Sequence, residues 1–390
     1  MRPGAAAALA RLRAVLGSLA LSCGAIAAVA GAFEVVLRLI ASGGDAGAHR
    51  FDIYRPSPTL THELRPNWSG RFAWNDFDVH VNVNALGFRG PPVSPARAAG
   101  VRRILVVGDS FAFGWGVEDR EAFPAVLEAE LRGAGVRTEV IDAAVPGYST
   151  DHHLIFLRER GFALAPDLIL ISICGNDTEE LAWSTLRLGP DGLPIASLSK
   201  RRFINARGEM RFLNSGLFDL PPLPLPEAAG DWLYQHSHAF RWLRIRFARA
   251  WLTWVGRLAA AREAIPPGEV PTGPIASLAP AEIARALAGS PEFRLRYHRE
   301  LLRAIEREAA ARGIAVRYVL TEGAGEALRS DCAASRCLDQ ATLFTRASHP
   351  EDFLPVDGHW SAAGQERVGK TLARWLRDDG ELGLGSQPMR

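Results

Sequence analysis

A serine at the end of a hydrophobic run is the first residue of this sequence placed to do chemistry. Gly108-Asp109-Ser110-Phe111 follows directly on Ile104-Leu105-Val106-Val107. An aliphatic, β-branched run that stops at glycine reads as a buried parallel strand entering a tight turn. Ligands of open α/β sheets gather outside the carboxyl ends of the strands, so Ser110 stands where a nucleophile is useful. A serine hydroxyl is a weak nucleophile and needs a base within hydrogen-bond reach. His359 and Asp357 supply the candidates. The imidazole takes the Ser110 proton and returns it to the leaving alcohol, while the carboxylate holds the second ring nitrogen. In a locally extended segment two such residues point to the same side. The tetrahedral intermediate carries an oxyanion, for which the backbone N–H groups of Ser110 and Gly147 and the Asn176 amide are donors of the right kind. Gly147 lets its backbone approach closely. Asp109 reads as a turn fastener, not a reactant.

These residues need a frame, and the sequence supplies one. Strands are predicted over Arg103–Val107, Glu139–Asp142, Leu168–Ile173 and Val316–Leu320. Between them lie helices over Phe123–Leu131, with Gly133 and Gly135 as stop signals, and over Thr150–Arg160, closed by Gly161. A third helix has Ser290 as N-cap, Pro291 at its first position and Gly313 at its end. A last helix runs from Ser361 to Arg377. Strands alternating with helices imply a parallel sheet covered on both faces, a three-layer α/β/α class. Ser110, Gly147, Gly175-Asn176-Asp177 and Asp357-Gly358-His359 all fall at strand ends or helix starts. Residues 45–100 form a lead-in, with a strand over Val79–Val83 and a turn over Asn84–Gly90. Within the 101–380 domain, residues 179–290 form a mid-chain insertion. It holds a hairpin around Asn205–Glu209, Pro-rich stretches at 221–226 and 266–280, and a helical pattern over Trp232–Ala261.

Composition narrows the function. The net charge of +2 gives no field that favours nucleic acid. Residues 1–44 stand apart: Arg2, Arg11 and Arg13 precede an uncharged run from Ala14 to Phe33, long enough as a helix to cross a hydrocarbon core. The arginines place that end in the cytoplasm and the remainder outside. The reading is an uncleaved membrane anchor. The alternative is secretion after cleavage at Ala28-Val29-Ala30. Cys332 and Cys337 lie close together in a polar loop and suit a disulfide in an oxidising compartment, with two unpaired thiols as the alternative. Asp151, His152 and His153 lack a recognisable zinc spacing, so no metal and no cofactor is expected.

Gly108-Asp109-Ser110, Gly147, Gly175-Asn176-Asp177 and Asp357 with His359, in that order, resemble the SGNH (GDSL) hydrolase family over roughly residues 100–380. The resemblance implies a flavodoxin-like fold, Ser110 as nucleophile, Ser110, Gly147 and Asn176 around the oxyanion, and Asp357 and His359 as acid and base. Asn82–Gly90 with the preceding apolar segment resembles membrane-anchored bacterial members. The Asp357-Gly358-His359-Trp360 spacing is similar to the Asp-x-His-Trp motif of alginate-type polysaccharide O-acetyltransferases. The family implies small-molecule or polysaccharide O-acyl esters as substrates, with hydrolysis expected. The alternatives are acyl transfer to a sugar by the same residues and a catalytically silent carbohydrate-binding protein. Membrane contact is expected through the N-terminal helix.

Overall fold

The computed structural model describes residues 3–41, 53–74, 77–199, 203–204, 210–211, 237, 239–240, 243, 270–321, 323–324, 328–329 and 336–378. Two compact units divide the chain: residues 1–49 with 217–257, and residues 50–216 with 258–390.

In the first unit, α1 (Pro3–Ala41) contains the stretch Val15–Leu39, with mean hydropathy 2.0. Among the described residues it is the one helix long and apolar enough to cross a membrane. Glu34 and Arg38 pair one turn apart near its end, at 2.7 Å, and Glu34 also accepts from Ser237 Oγ and the Ala239 N–H, both at 2.8 Å. The Trp232–Ala261 pattern, apart from Ser237, Ala239, Phe240 and Leu243, lies outside the described residues, as do Asn205–Glu209, the 221–226 stretch and Cys332.

The second unit begins with two antiparallel hairpins, β1 (Tyr54–Ser57) with β2 (Thr61–Leu64) and β3 (Ser69–Trp74) with β4 (Phe77–Asn82). The α/β part follows: β5 (Arg102–Val107), α2 (Ser110–Phe113), α3 (Phe123–Gly133), β6 (Thr138–Asp142), α4 (Thr150–Phe156), β7 (Leu168–Ile173) and α5 (Asn176–Glu180). A hairpin of β8 (Ser184–Leu188) and β9 (Pro194–Ser199) and the two-residue pair β10 (Phe203–Ile204) and β11 (Met210–Arg211) lie in the insertion. The chain returns through α6 (Pro280–Gly289), α7 (Pro291–Ala310), β12 (Ala315–Leu320), β13 (Cys337–Asp339) and α8 (Ala362–Asp378).

Five strands, β6-β5-β7-β12-β13 in spatial order, form one wholly parallel sheet. In order of appearance this is 2-1-3-4-5, the flavodoxin-like doubly wound arrangement. The centre of the sheet explains its composition. Every residue of β7, Leu-Ile-Leu-Ile-Ser-Ile, is buried, as a strand covered by helices on both faces requires. Full burial of each of its aliphatic side chains stabilises the fold by about 1.5–3 kcal/mol. Helix α3 packs on β6 and α8, whereas α7 packs on α4, α5 and β12. The predicted capping of α7 is present, with Ser290 Oγ accepting from the Phe293 N–H at 3.1 Å. The helix predicted to Arg160 is different: it is α-helical only to Phe156 and continues as a π-turn over Leu157–Gly161. Apolar spacing hardly changes over one widened turn, so periodicity does not separate the two.

Candidate active site

The Ser110 loop is shaped by contacts that leave little room. A Cβ on Gly108 would lie 2.6 Å from Ala112 Cβ and 2.8 Å from Ser172 Cβ. Only glycine lets the end of β5 pass this close to β7 while α2 begins at once behind it. Asp109 caps that helix, its carboxylate accepting the Phe111 N–H at 2.9 Å. It is 1 % exposed. Burial raises its pKa to about 6, against the pull of His359 and of the Phe111 N–H. Burial, and then the charge of Asp109, pushes the neighbouring Asp177 well above the usual carboxylate range.

Ser110, His359 and Asp357 come together although 249 positions separate serine and histidine. Ser110 Oγ and His359 Nε2 are 2.7 Å apart, and His359 Nδ1 pairs with Asp357 Oδ1. Burial works to raise the Asp357 pKa, but the hydrogen bond and charge of His359 and the Trp115 indole outweigh it and hold the carboxyl below its usual value. It is therefore ionised at neutral pH. The His359 side chain keeps 21 % of its surface open, so a substrate can reach the pair from solvent.

The Asp357–His359 segment is not extended, contrary to the sequence reading. It is a tight turn, closed by a bridge between Phe353 and Trp360 and by the Leu354 N–H donating to the His359 carbonyl at 2.7 Å. Gly358 has φ +88°, a conformation in which a side chain would be strained. That reversal, not alternation along a strand, brings the carboxylate onto the imidazole. Arg346 Nη2 donates to the Pro355 carbonyl at 2.7 Å and ties the turn down from outside.

Gly147 and Asn176 lie beyond β6 and β7, the two strands that flank β5. Their turns therefore share the carboxyl edge with Ser110. Gly147 has φ +83°. Its loop is joined to the serine loop by the Val145 N–H donating to the Gly108 carbonyl at 3.1 Å. Asn176 opens α5, and its Nδ2 donates to Glu180 Oε1 at 3.0 Å. An amide nitrogen carries two N–H bonds, so Glu180 fixes the amide and occupies one of them. Cys337 opens β13.

Trp115 and Gln365, with no role assigned from sequence, lie beside His359 and the Ser110 helix. The Phe111 and Trp115 rings lie 4.6 and 5.7 Å from the His359 ring, so the imidazole sits among aromatics. Gln365, wholly buried, donates to the Phe111 carbonyl at 3.0 Å and accepts the Phe123 N–H at 2.8 Å. It joins α8 to the serine helix. Trp360 is fully buried against Phe111 and Phe123. Asp151 is also buried; its carboxylate accepts from Ser149 Oγ at 2.5 Å and from Ser197 Oγ, with His152 Nδ1 at 3.1 Å. Among the described residues no group of three or more His, Cys, Asp and Glu side chains is arranged to hold a metal ion.

No curated protein matches the chain. Among solved structures, TesA is 14% identical over 71% of this chain and 99% of its own, with a TM-score of 0.26. A lipase/acylhydrolase from Enterococcus faecalis is 14% identical over 71% of this chain and 96% of its own, with a TM-score of 0.28. AlinE4, an SGNH-hydrolase family esterase, is 33% identical over 21% of this chain and 45% of its own, with a TM-score of 0.19. The family model for GDSL-like lipases and acylhydrolases matches residues 106–367, more than half of the chain, from the end of β5 into α8. On that match the chain belongs to the GDSL-like lipase/acylhydrolase family, whose members are esterase- and lipase-type enzymes.

Proposed function

We propose that the chain is a serine esterase that removes O-acyl groups, acetyl foremost, from an envelope or secreted polysaccharide. The observation that carries this reading is the 2.7 Å contact between Ser110 Oγ and His359 Nε2, with Asp357 on the far side of the ring. Ser110 attacks the ester carbonyl as His359 takes its proton, and the acyl group passes to Ser110 Oγ. The imidazolium, stabilised by Asp357, then protonates the departing alcohol. The Ser110 and Gly147 N–H groups and the second N–H of Asn176 receive the oxyanion. Water deprotonated by His359 releases the acid and restores the serine. Hydrolysis and transfer share the acyl-enzyme and differ in what attacks it. The Asp357-Gly358-His359-Trp360 spacing favours a sugar acceptor. Against that, Trp360 has no exposed surface with which to bind one, and its contacts are those of a packing residue. Water is therefore the favoured acceptor. The test is the partition of an acetyl group between free acetate and acetylated oligosaccharide as acceptor concentration rises. Mainly free acetate is expected. Mainly acetylated sugar at modest acceptor concentration would make the enzyme a transferase.

The same reading places the catalytic part outside the cytoplasm, anchored by Val15–Leu39 with Arg2, Arg11 and Arg13 on the inner side. The full chain should stay with membranes through carbonate extraction. A mature N-terminus at Gly31 would instead establish a cleaved signal peptide. In that compartment Cys332 and Cys337 form a disulfide whose small loop contributes about 2 kcal/mol in the chain-entropy model. Alkylation of both thiols without prior reduction would reject it.

A further inference from the structure

The turn Asn84-Ala85-Leu86-Gly87-Phe88-Arg89-Gly90 takes no part in the acyl transfer just described, yet it is tightly bonded. Asn84 Oδ1 accepts the Leu86 and Phe88 N–H groups at 3.0 and 3.1 Å, and Asn84 Nδ2 donates to the Pro91 carbonyl at 2.9 Å. The Arg89 N–H donates to the Asp142 carbonyl at 3.2 Å, which attaches the turn to the end of β6. What the turn delivers is the Arg89 side chain, 1 % exposed. Nη1 donates to the carbonyls of Phe113 and Gly114 at 2.5 and 2.7 Å, and Nη2 to that of Val117 at 2.6 Å. Nε pairs with Asp119 at 2.9 Å, and the guanidinium carbon lies 4.7 Å from the centre of the Phe113 ring.

Those three carbonyls belong to the end of the serine helix and the loop after it. Four residues are too few for a helix to hold itself, and its final carbonyls have no partner within it. Gly114 leaves the helix at φ +77°, and a Cβ there would stand 3.0 Å from Arg89 Nη1. The next residue, Trp115, donates its backbone N–H to the Ser110 carbonyl at 3.0 Å and brings its ring to His359. One buried guanidinium thus holds the segment that carries both the serine and an aromatic wall of its base.

We propose that Arg89 is a positioning residue for acyl transfer, whose guanidinium fixes the C-terminal end of the Ser110 helix and so sets the alignment of Ser110 with His359. The proposal rests on the serine-esterase reading. Lysine at this position keeps the charge but, as a point charge on a flexible stem, cannot reproduce the planar fork of bonds. The experiment measures kcat and KM for a short-chain aryl ester in Arg89→Lys and Arg89→Ala, with active sites counted by fluorophosphonate titration to completion. Misalignment of reacting groups by about 1 Å costs on the order of 10²-fold. That loss in kcat per titrated site is expected for Arg89→Ala, with a smaller one for Arg89→Lys, and KM should change little in either. Added guanidinium ion should restore part of the Arg89→Ala rate and none of the Ser110→Ala rate. If Arg89→Ala does not fold, Arg89→Lys decides. Wild-type kcat per titrated site in the folded variants, with any loss confined to the number of sites, would overturn the proposal. Failure of the serine reading is distinct: Ser110→Ala would then keep its turnover in the same assay.

Discussion

Ser110→Ala should lower ester turnover by about 10⁴–10⁶-fold, because members of a nucleophile–base–acid set act as a unit and the loss of one removes most of what all provide. The effect should fall on kcat. The hydroxyl is a small part of any substrate-binding surface, and the Asp109 cap and the Gly108 contacts that shape the loop do not involve the Ser110 side chain. Thermal stability should change little. A short-chain aryl ester reads the chemistry without demanding the natural alcohol, so the measurement does not depend on identifying the natural substrate. Near-native turnover by Ser110→Ala would remove the serine mechanism altogether.

Asn176→Ala should cost about 10²–10³-fold in kcat, the usual loss for one oxyanion donor. The structure makes this a demanding case. The Asn176 amide is held by Glu180 at 3.0 Å, so its direction is fixed before substrate arrives and no reorganisation is needed as charge develops. Truncation to alanine removes the amide donor and leaves Glu180 without this hydrogen bond. KM should move much less than kcat, because a ground-state carbonyl takes a weaker hydrogen bond than the oxyanion does. Equal losses in kcat and in binding of an unreactive substrate analogue would instead make Asn176 a general binding residue.

Much of this was legible in the chain itself. Ile104–Val107 and Leu168–Ile173 announce buried parallel strands because a doubly covered strand needs no polar face. The serine was visible because a strand ending in Gly-Asp-Ser places it at the edge where α/β ligands collect. What stayed hidden depended on long-range geometry. The left-handed Gly358 is indistinguishable from an extended glycine until the bridge between Phe353 and Trp360 closes the turn. Strand β13 has three residues and is defined by its pairing with β12, not by any pattern of its own. Trp115 reads as one apolar residue among many. Only the fold brings its ring to His359, and only the fold carries Arg89 from an upstream turn to the carbonyls beyond Ser110.

In the proposed reaction acyl groups pass through Ser110. The most direct measurement is to quench the enzyme during turnover of an acetyl aryl ester and locate the acetyl group by peptide mass spectrometry. A stoichiometric acetyl ester on the peptide containing Ser110, absent from Ser110→Ala and cleared after substrate is exhausted, is the predicted result. An acetyl group on another residue, or turnover at full rate with Ser110 never modified even when deacylation is slowed by low temperature, would contradict it.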